Sequence, residues 1–225
     1  MTRLAPPAPS RRPALLPWPV LLLVGVCVLP ELVLLWAAVA EPQTVFVLRR
    51  AFFALGAFQP DLLSGRGPIF AGQSISMFVT YGILHTGLPH LILNMTGLVW
   101  LGRLTLARRS SETFLTFYLL STIGAAEVFV LFSPPDATMV GASGALFGLL
   151  GIYLVDNTLL PESAGVQRLG AQVIRILLIT LGLILADVLS SMVLGSSVAW
   201  QAHAGGFVVG AIVALIAPPR QPKGS

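Results

Sequence analysis

"MVGASGALFGLLG", residues 139–151, sets a serine among small residues at the head of an apolar run broken by glycines. A glycine costs a helix about 1 kcal/mol relative to alanine, and a hydroxyl is a costly filling for a dry core. Gly144 and Gly148 are four residues apart, so on a helix they share one face. Such a small-xxx-small face lets a second backbone approach closely. The run is therefore predicted to be a helix packed against another helix. Ser143 at its head is either one more small packing residue or a reactive hydroxyl, and the stretch alone allows both.

Composition identifies the medium around that helix. The chain has 225 residues, of which 56% are hydrophobic and 10% charged. Soluble globular domains carry about 25% charged residues, so this inventory cannot cover a water-facing surface. The expected fold class is an all-α polytopic membrane protein, with the lipid bilayer as a partner. The isoelectric point near 10 does not indicate nucleic acid, because the basic residues are scattered and lack interleaved aromatics. The single Cys27 excludes an intrachain disulfide and reads as a buried filler thiol.

Six segments are long and apolar enough to be spanning helices: 17–40, 86–104, 112–132, 141–158, 170–189 and 200–217. Ahead of the first stands "MTRLAPPAPSRRPALLPWP". The apolar run that follows is too long for a signal peptide, and no small-residue cleavage site is obvious. Residues 1–14 are thus expected to be a disordered cytoplasmic tail, 15–217 a six-helix domain and 218–225 a second cytoplasmic tail. Residues 41–85 include "VFVLRRAFFALGAFQPDLLSG", amphipathic but too broken to span. An interfacial or partly inserted loop is expected there.

The basic residues orient this arrangement. With a cytoplasmic N-terminus, ten lie inside: Arg3, Arg11, Arg12, Arg103, Arg108, Arg109, Arg168, Arg175, Arg220 and Lys223. Only three lie outside, Arg49, Arg50 and Arg66. That asymmetry favours six spans with both termini in the cytoplasm. Trp18, Trp36, Trp100 and Trp200 fall near span ends, where indoles settle. In this topology Ser143 opens the fourth span and His203 the sixth, both at shallow depth on the outer side.

The few polar residues cluster at that same depth. "HTGLPHLILN" places His85, His90 and Asn94 around the outer end of the second span, with His90 and Asn94 on one helical face. Burying such groups without partners costs a few kcal/mol each, so they need neighbours or a wet cavity. Hydrogen bonding between helices would satisfy them equally well. In "AHAGGFVVG", residues 202–210, His203, Gly206 and Gly210 fall within about 60° of one another on a helix. Close packing of that glycine face onto the Gly144–Gly148 face would bring His203 within hydrogen-bond reach of Ser143.

That pairing has a chemistry. A serine hydroxyl becomes nucleophilic when an adjacent base takes its proton, and neutral imidazole suits that role. Attack on an amide creates an oxyanion that needs prepared donors. The Ser143 backbone N–H is available if it opens a helix, and the side chains of Asn94 and His90 offer two more. Other chemistries lack their residues. There is no H-E-x-x-H, and no carboxylate or cysteine is placed to complete a zinc set with the three histidines, so no metal is expected. No paired aspartates occur in adjacent spans. Glu127 and Asp187 are isolated and read as local structural residues. No Walker or dinucleotide motif is present.

"HTGLPHLILNM", "GASGALFG" and "AHAGGFVVG", in this order and on these spans, resemble the rhomboid family of intramembrane serine proteases over residues from about 75 to 215. The resemblance implies a catalytic dyad without a third carboxylate, Ser143 as nucleophile and His203 as general base, working with water and no cofactor. It implies oxyanion contacts from Asn94, His90 and the Ser143 backbone. His85 corresponds to a structural histidine at the cavity rim. Gly141 shapes the turn before the serine, Phe147 takes the place of an aromatic that stacks on the imidazole, and Gly206 follows the histidine. The first loop departs from many bacterial relatives, since 41–85 contains no Trp. Residues 190–201 resemble the cap over the active site, which with the fifth span would form a lateral gate.

The implied activity is an endopeptidase of the bacterial inner membrane. It would cut single-pass or polytopic membrane proteins near the outer face, at helix-destabilising sites with small residues. Two other functions compete: a catalytically inactive rhomboid-like protein that binds clients, and a small membrane transporter. Intact Ser143 and His203 argue against the first. Clustering of the polar residues at one depth, rather than along a through-path, argues against the second.

Overall fold

The structure is a computed structural model that describes residues 15–159, 174, 178 and 199–219. The expected fifth span, nearly all of the expected cap, Asp187 and the segments 1–14 and 220–225 lie outside the described residues.

The described chain is helical, with one isolated β-bridge. Its helices are α1 Trp18–Ala40, α2 Thr44–Gly56, α3 Asp61–Ser64, α4 Gln73–Thr80, α5 Leu88–Leu106, α6 Ser111–Phe132, α7 Ser143–Leu154 and α8 Trp200–Ile216. Five of the six expected segments are therefore helices, with ends shifted by a few residues. Local chemistry explains the boundaries. Pro89 sits in the first turn of α5, where its missing N–H is harmless. The Ser110 hydroxyl caps α6 by accepting from the Thr113 N–H at 3.3 Å.

Among the described residues, α1 and α6 are long and apolar enough to cross a membrane. The helical run Ser143–Asn157 and α8 are shorter apolar helices. α5 has 19 residues but carries His90, Asn94, Thr96, Arg103 and Thr105. Trp18, Trp36, Trp100 and Trp200 are all exposed, and Glu127 is exposed on α6.

α7 is the central element. Every residue from Gly144 to Ile152 is buried, enclosed chiefly by α8, α6 and α5. Such all-round burial suits a segment with almost no polar side chain. Cys27 lies in the same core, 2% exposed, its thiol aimed at the Gly82 carbonyl at 3.6 Å.

Residues 41–85, expected as an interfacial or partly inserted loop between spans, contain α2, α3 and α4. The last carbonyls of a helix lack internal partners, and in α2 distant side chains supply them. Gln59 Nε2 joins the Ala57 N–H in donating to the Phe53 carbonyl, each at 3.0 Å. Gln73 Nε2 donates to those of Ala54 at 2.6 Å and Leu55 at 3.4 Å. Thr80 Oγ1 donates to that of Gly56 at 2.8 Å. Phe58 then exchanges backbone hydrogen bonds of 3.0 and 2.9 Å with Met139, fastening this segment to the chain entering α7.

The opposite end of the bundle is clamped by charge. Arg109 Nε donates to Asp156 Oδ2 at 2.8 Å and Nη2 pairs with Oδ1. The same guanidinium donates to the Ala217 carbonyl and lies 4.8 Å above the Phe117 ring. One buried fork thus joins the α5–α6 connection, the turn after α7 and the end of α8.

Candidate active site

Ser143 is the first residue of α7 and His203 lies in the first turn of α8. The two helices meet glycine to glycine. A Cβ on Gly206 would run into the Gly144 carbonyl, and one on Gly210 into the Gly148 carbonyl. No larger residue permits this approach. With the backbones so close, His203 Nε2 reaches Ser143 Oγ at 2.9 Å. Phe147, one turn along α7, stacks on the imidazole with ring centroids 4.3 Å apart and planes 12° from parallel. The imidazole is therefore fixed at its face as well as its edge.

The turn before Ser143 is equally constrained. Gly141 has φ +118°, a conformation that side chains rarely adopt. A Cβ there would lie 2.7 Å from His90 Cε1 and 2.9 Å from its Nε2. The His90 ring therefore rests on Gly141, two residues ahead of the serine. The Gly141 N–H donates to the Tyr81 carbonyl at 3.0 Å, which holds the turn in place.

His90 has a defined hydrogen-bonding partner in Thr86, whose N–H donates to Nδ1 at 3.5 Å and whose Oγ1 lies 3.1 Å away. An accepting Nδ1 assigns the proton of the neutral ring to Nε2. Asn94 is 3% exposed, and its Nδ2 donates to the His90 carbonyl at 2.9 Å. One of its two amide protons is thus engaged with its own helix. Asn94 Oδ1 has no partner among the described residues.

His85 sits in the turn ahead of α5, 2% exposed. Its Nδ1 donates to the Ile83 carbonyl at 3.2 Å. Its ring meets His90 edge to face at 5.1 Å. Burial, then the neighbouring His90, pushes its pKa down to about 3 from the usual 6.5. A neutral ring that backs His90 is a structural arrangement, and His85 does not line the cavity described next.

Ser143, His203, His90, Asn94 and Phe147 border one cavity of about 60 Å³. Its remaining wall is apolar, from Leu93, Gly97, Trp100, Leu101 and Leu146. A serine hydroxyl at a helix start, the imidazole bonded to it and the side chains of His90 and Asn94 thus border one small, mostly apolar space. That set is the equipment for acyl transfer. The sequence residues Ser143, His203, His90, Asn94, Phe147, Gly141 and Gly206 all come together here.

Three neighbours were not singled out by sequence reasoning. Thr86 fixes the His90 ring. Glu31 and Arg49 form a pair behind His85, Nη1 to Oε1 2.6 Å and Nη2 to Oε2 3.0 Å. A lone acid in the apolar α1 was the available signal for the latter.

Comparison with known proteins agrees with the motifs. Rhomboid protease GluP of Bacillus subtilis (strain 168) is 36% identical over 101 residues, 44% of this chain. The chain covers 19% of that protein's length. Residues 72–220, well over half of the chain and including Ser143, His203, His90, Asn94 and His85, match the Rhomboid domain. With the Rhomboid domain matched over this length, the chain belongs to the rhomboid family.

Proposed function

We propose that this chain is an intramembrane serine endopeptidase of the bacterial inner membrane that cuts transmembrane segments of other proteins near the outer face. The observation that carries the reading is the 2.9 Å contact between His203 Nε2 and Ser143 Oγ inside a cavity shared with His90 and Asn94. In this reading residues 15–217 form a six-span domain with both termini cytoplasmic, the fifth span and the cap at 190–201 completing the gate. The basic-residue asymmetry supports the orientation.

His203 takes the Ser143 proton as Oγ attacks the scissile carbonyl carbon. The developing oxyanion is held by the Ser143 N–H, by His90 Nε2–H and by the second amide proton of Asn94. The imidazolium then protonates the leaving amine, and an acyl ester remains on Ser143. Water, deprotonated by His203, hydrolyses that ester and restores the enzyme. A substrate segment must unwind to present its amide, which favours small, helix-breaking residues at the cut. The test is cleavage of a reporter transmembrane substrate in proteoliposomes. Wild type is expected to cut it and Ser143→Ala and His203→Ala to leave it whole. Equal cleavage by all three contradicts the assignment.

A further inference from the structure

Glu31 is the only charged residue of α1 and is 3% exposed, nine positions before the helix ends. At 1.5 Å per residue it lies roughly 14 Å from that end, in an otherwise apolar helix. An acid so placed is costly unless paired, and marks function by default. Arg49 answers it with a two-pronged fork of 2.6 and 3.0 Å. The same Nη1 also donates to the His85 carbonyl at 2.8 Å. His85 packs edge to face on His90, and His90 rests on Gly141, two residues before Ser143. Contacts thus run unbroken from the ion pair to the reaction centre. Both residues lie ahead of the stretch matched to the Rhomboid domain.

We propose that Glu31 and Arg49 are positioning residues for proteolysis. The pair fixes the His85 turn from behind, and the turn holds His90 Nε2 at the oxyanion position. The inference rests on the protease reading above. A pair that merely joined α1 to α2 would act on stability alone.

The test compares wild type, Glu31→Leu/Arg49→Met, Arg49→Lys and Ser143→Ala in proteoliposomes. It reads the fluorophosphonate labelling rate at Ser143, kcat and KM for a transmembrane peptide, and Tm. The double variant buries no unpaired charge, so it is expected to keep its fold. Its methionine cannot donate to the His85 carbonyl. Labelling and kcat are expected to fall together by about ten-fold, with KM unchanged. Arg49→Lys keeps the charge but replaces the fork with a point donor, and a fall of about three-fold is expected. It decides the matter if the double variant does not fold. Wild-type labelling and kcat in the folded double variant, or in Arg49→Lys, overturn the inference. Equal labelling of wild type and Ser143→Ala sinks the protease reading instead, so the two failures are distinguishable.

Discussion

The Phe147 ring lies face to face on the His203 imidazole, 4.3 Å between centroids and 12° from parallel. The phenyl group braces the face of the imidazole without a hydroxyl, while Ser143 Oγ meets its edge. Phe147→Leu keeps an apolar side chain but removes the face. A fall in kcat of about three- to ten-fold is expected, matching the 0.5–1.5 kcal/mol of an aromatic pair. Phe147→Tyr, which keeps the face, is expected to stay within about two-fold of wild type. Initial rates on a fluorogenic transmembrane peptide decide. Unchanged activity in Phe147→Leu removes the stack from the mechanism.

Gly206 meets the Gly144 carbonyl with no room for a Cβ. Gly206→Val must push α8 away from α7 and draw His203 off Ser143. Loss of cleavage is expected, with a stability cost of about 1–3 kcal/mol from overpacking. Gly25→Ala, where a Cβ meets open space, is the control and is expected to leave cleavage unchanged without lowering Tm. Thermal denaturation and cleavage read both effects.

The Arg109–Asp156 fork lies at the far end of the bundle, both side chains 2% exposed. Arg109→Ala leaves a buried carboxylate unpaired and is expected to cost about 3–5 kcal/mol. The labelling rate of the molecules that remain folded is expected to match wild type, because the clamp does not touch the cavity. Denaturant titration beside fluorophosphonate kinetics separates these. Slower labelling at unchanged stability would contradict a purely structural clamp.

His85 gives the fold a pH dependence. Its folded pKa, about 3, lies below the ordinary 6.5, so as pH falls the unfolded chain takes up the proton first. Its contribution is complete above about 6.5 and is lost progressively toward about 3, by at most about 1.4 kcal/mol per pH unit. Tm measured from pH 7.5 down to about 4 is expected to fall less steeply in His85→Gln than in wild type. Parallel slopes would show that another group carries the titration.

Much of the site was legible because its residues obey local spacing rules. Gly144 and Gly148, and Gly206 and Gly210, announced two faces able to meet, and His203 on the second face pointed at Ser143. His90 and Asn94, four apart, declared a shared direction. The helical 41–85 segment was not legible, because Gln59, Gln73 and Thr80 satisfy the end of α2 from outside it. No pattern within Thr44–Gly56 reveals those donors. Glu31, a lone acid in an apolar helix, was not singled out, and its partner was set by how α2 folds back, which periodicity does not encode. The Arg109–Asp156 fork was hidden for the same reason: the two residues are 47 apart in the chain.

The central claim is that Ser143 is a nucleophile activated by His203. Its most direct measurement is intact-mass and peptide-mapping spectrometry after exposure of the folded protein, in proteoliposomes, to a fluorophosphonate. One adduct per chain on the peptide bearing Ser143 is expected in wild type, strongly slowed in His203→Ala and absent in Ser143→Ala. An adduct elsewhere, or equal labelling of wild type and Ser143→Ala, would contradict it.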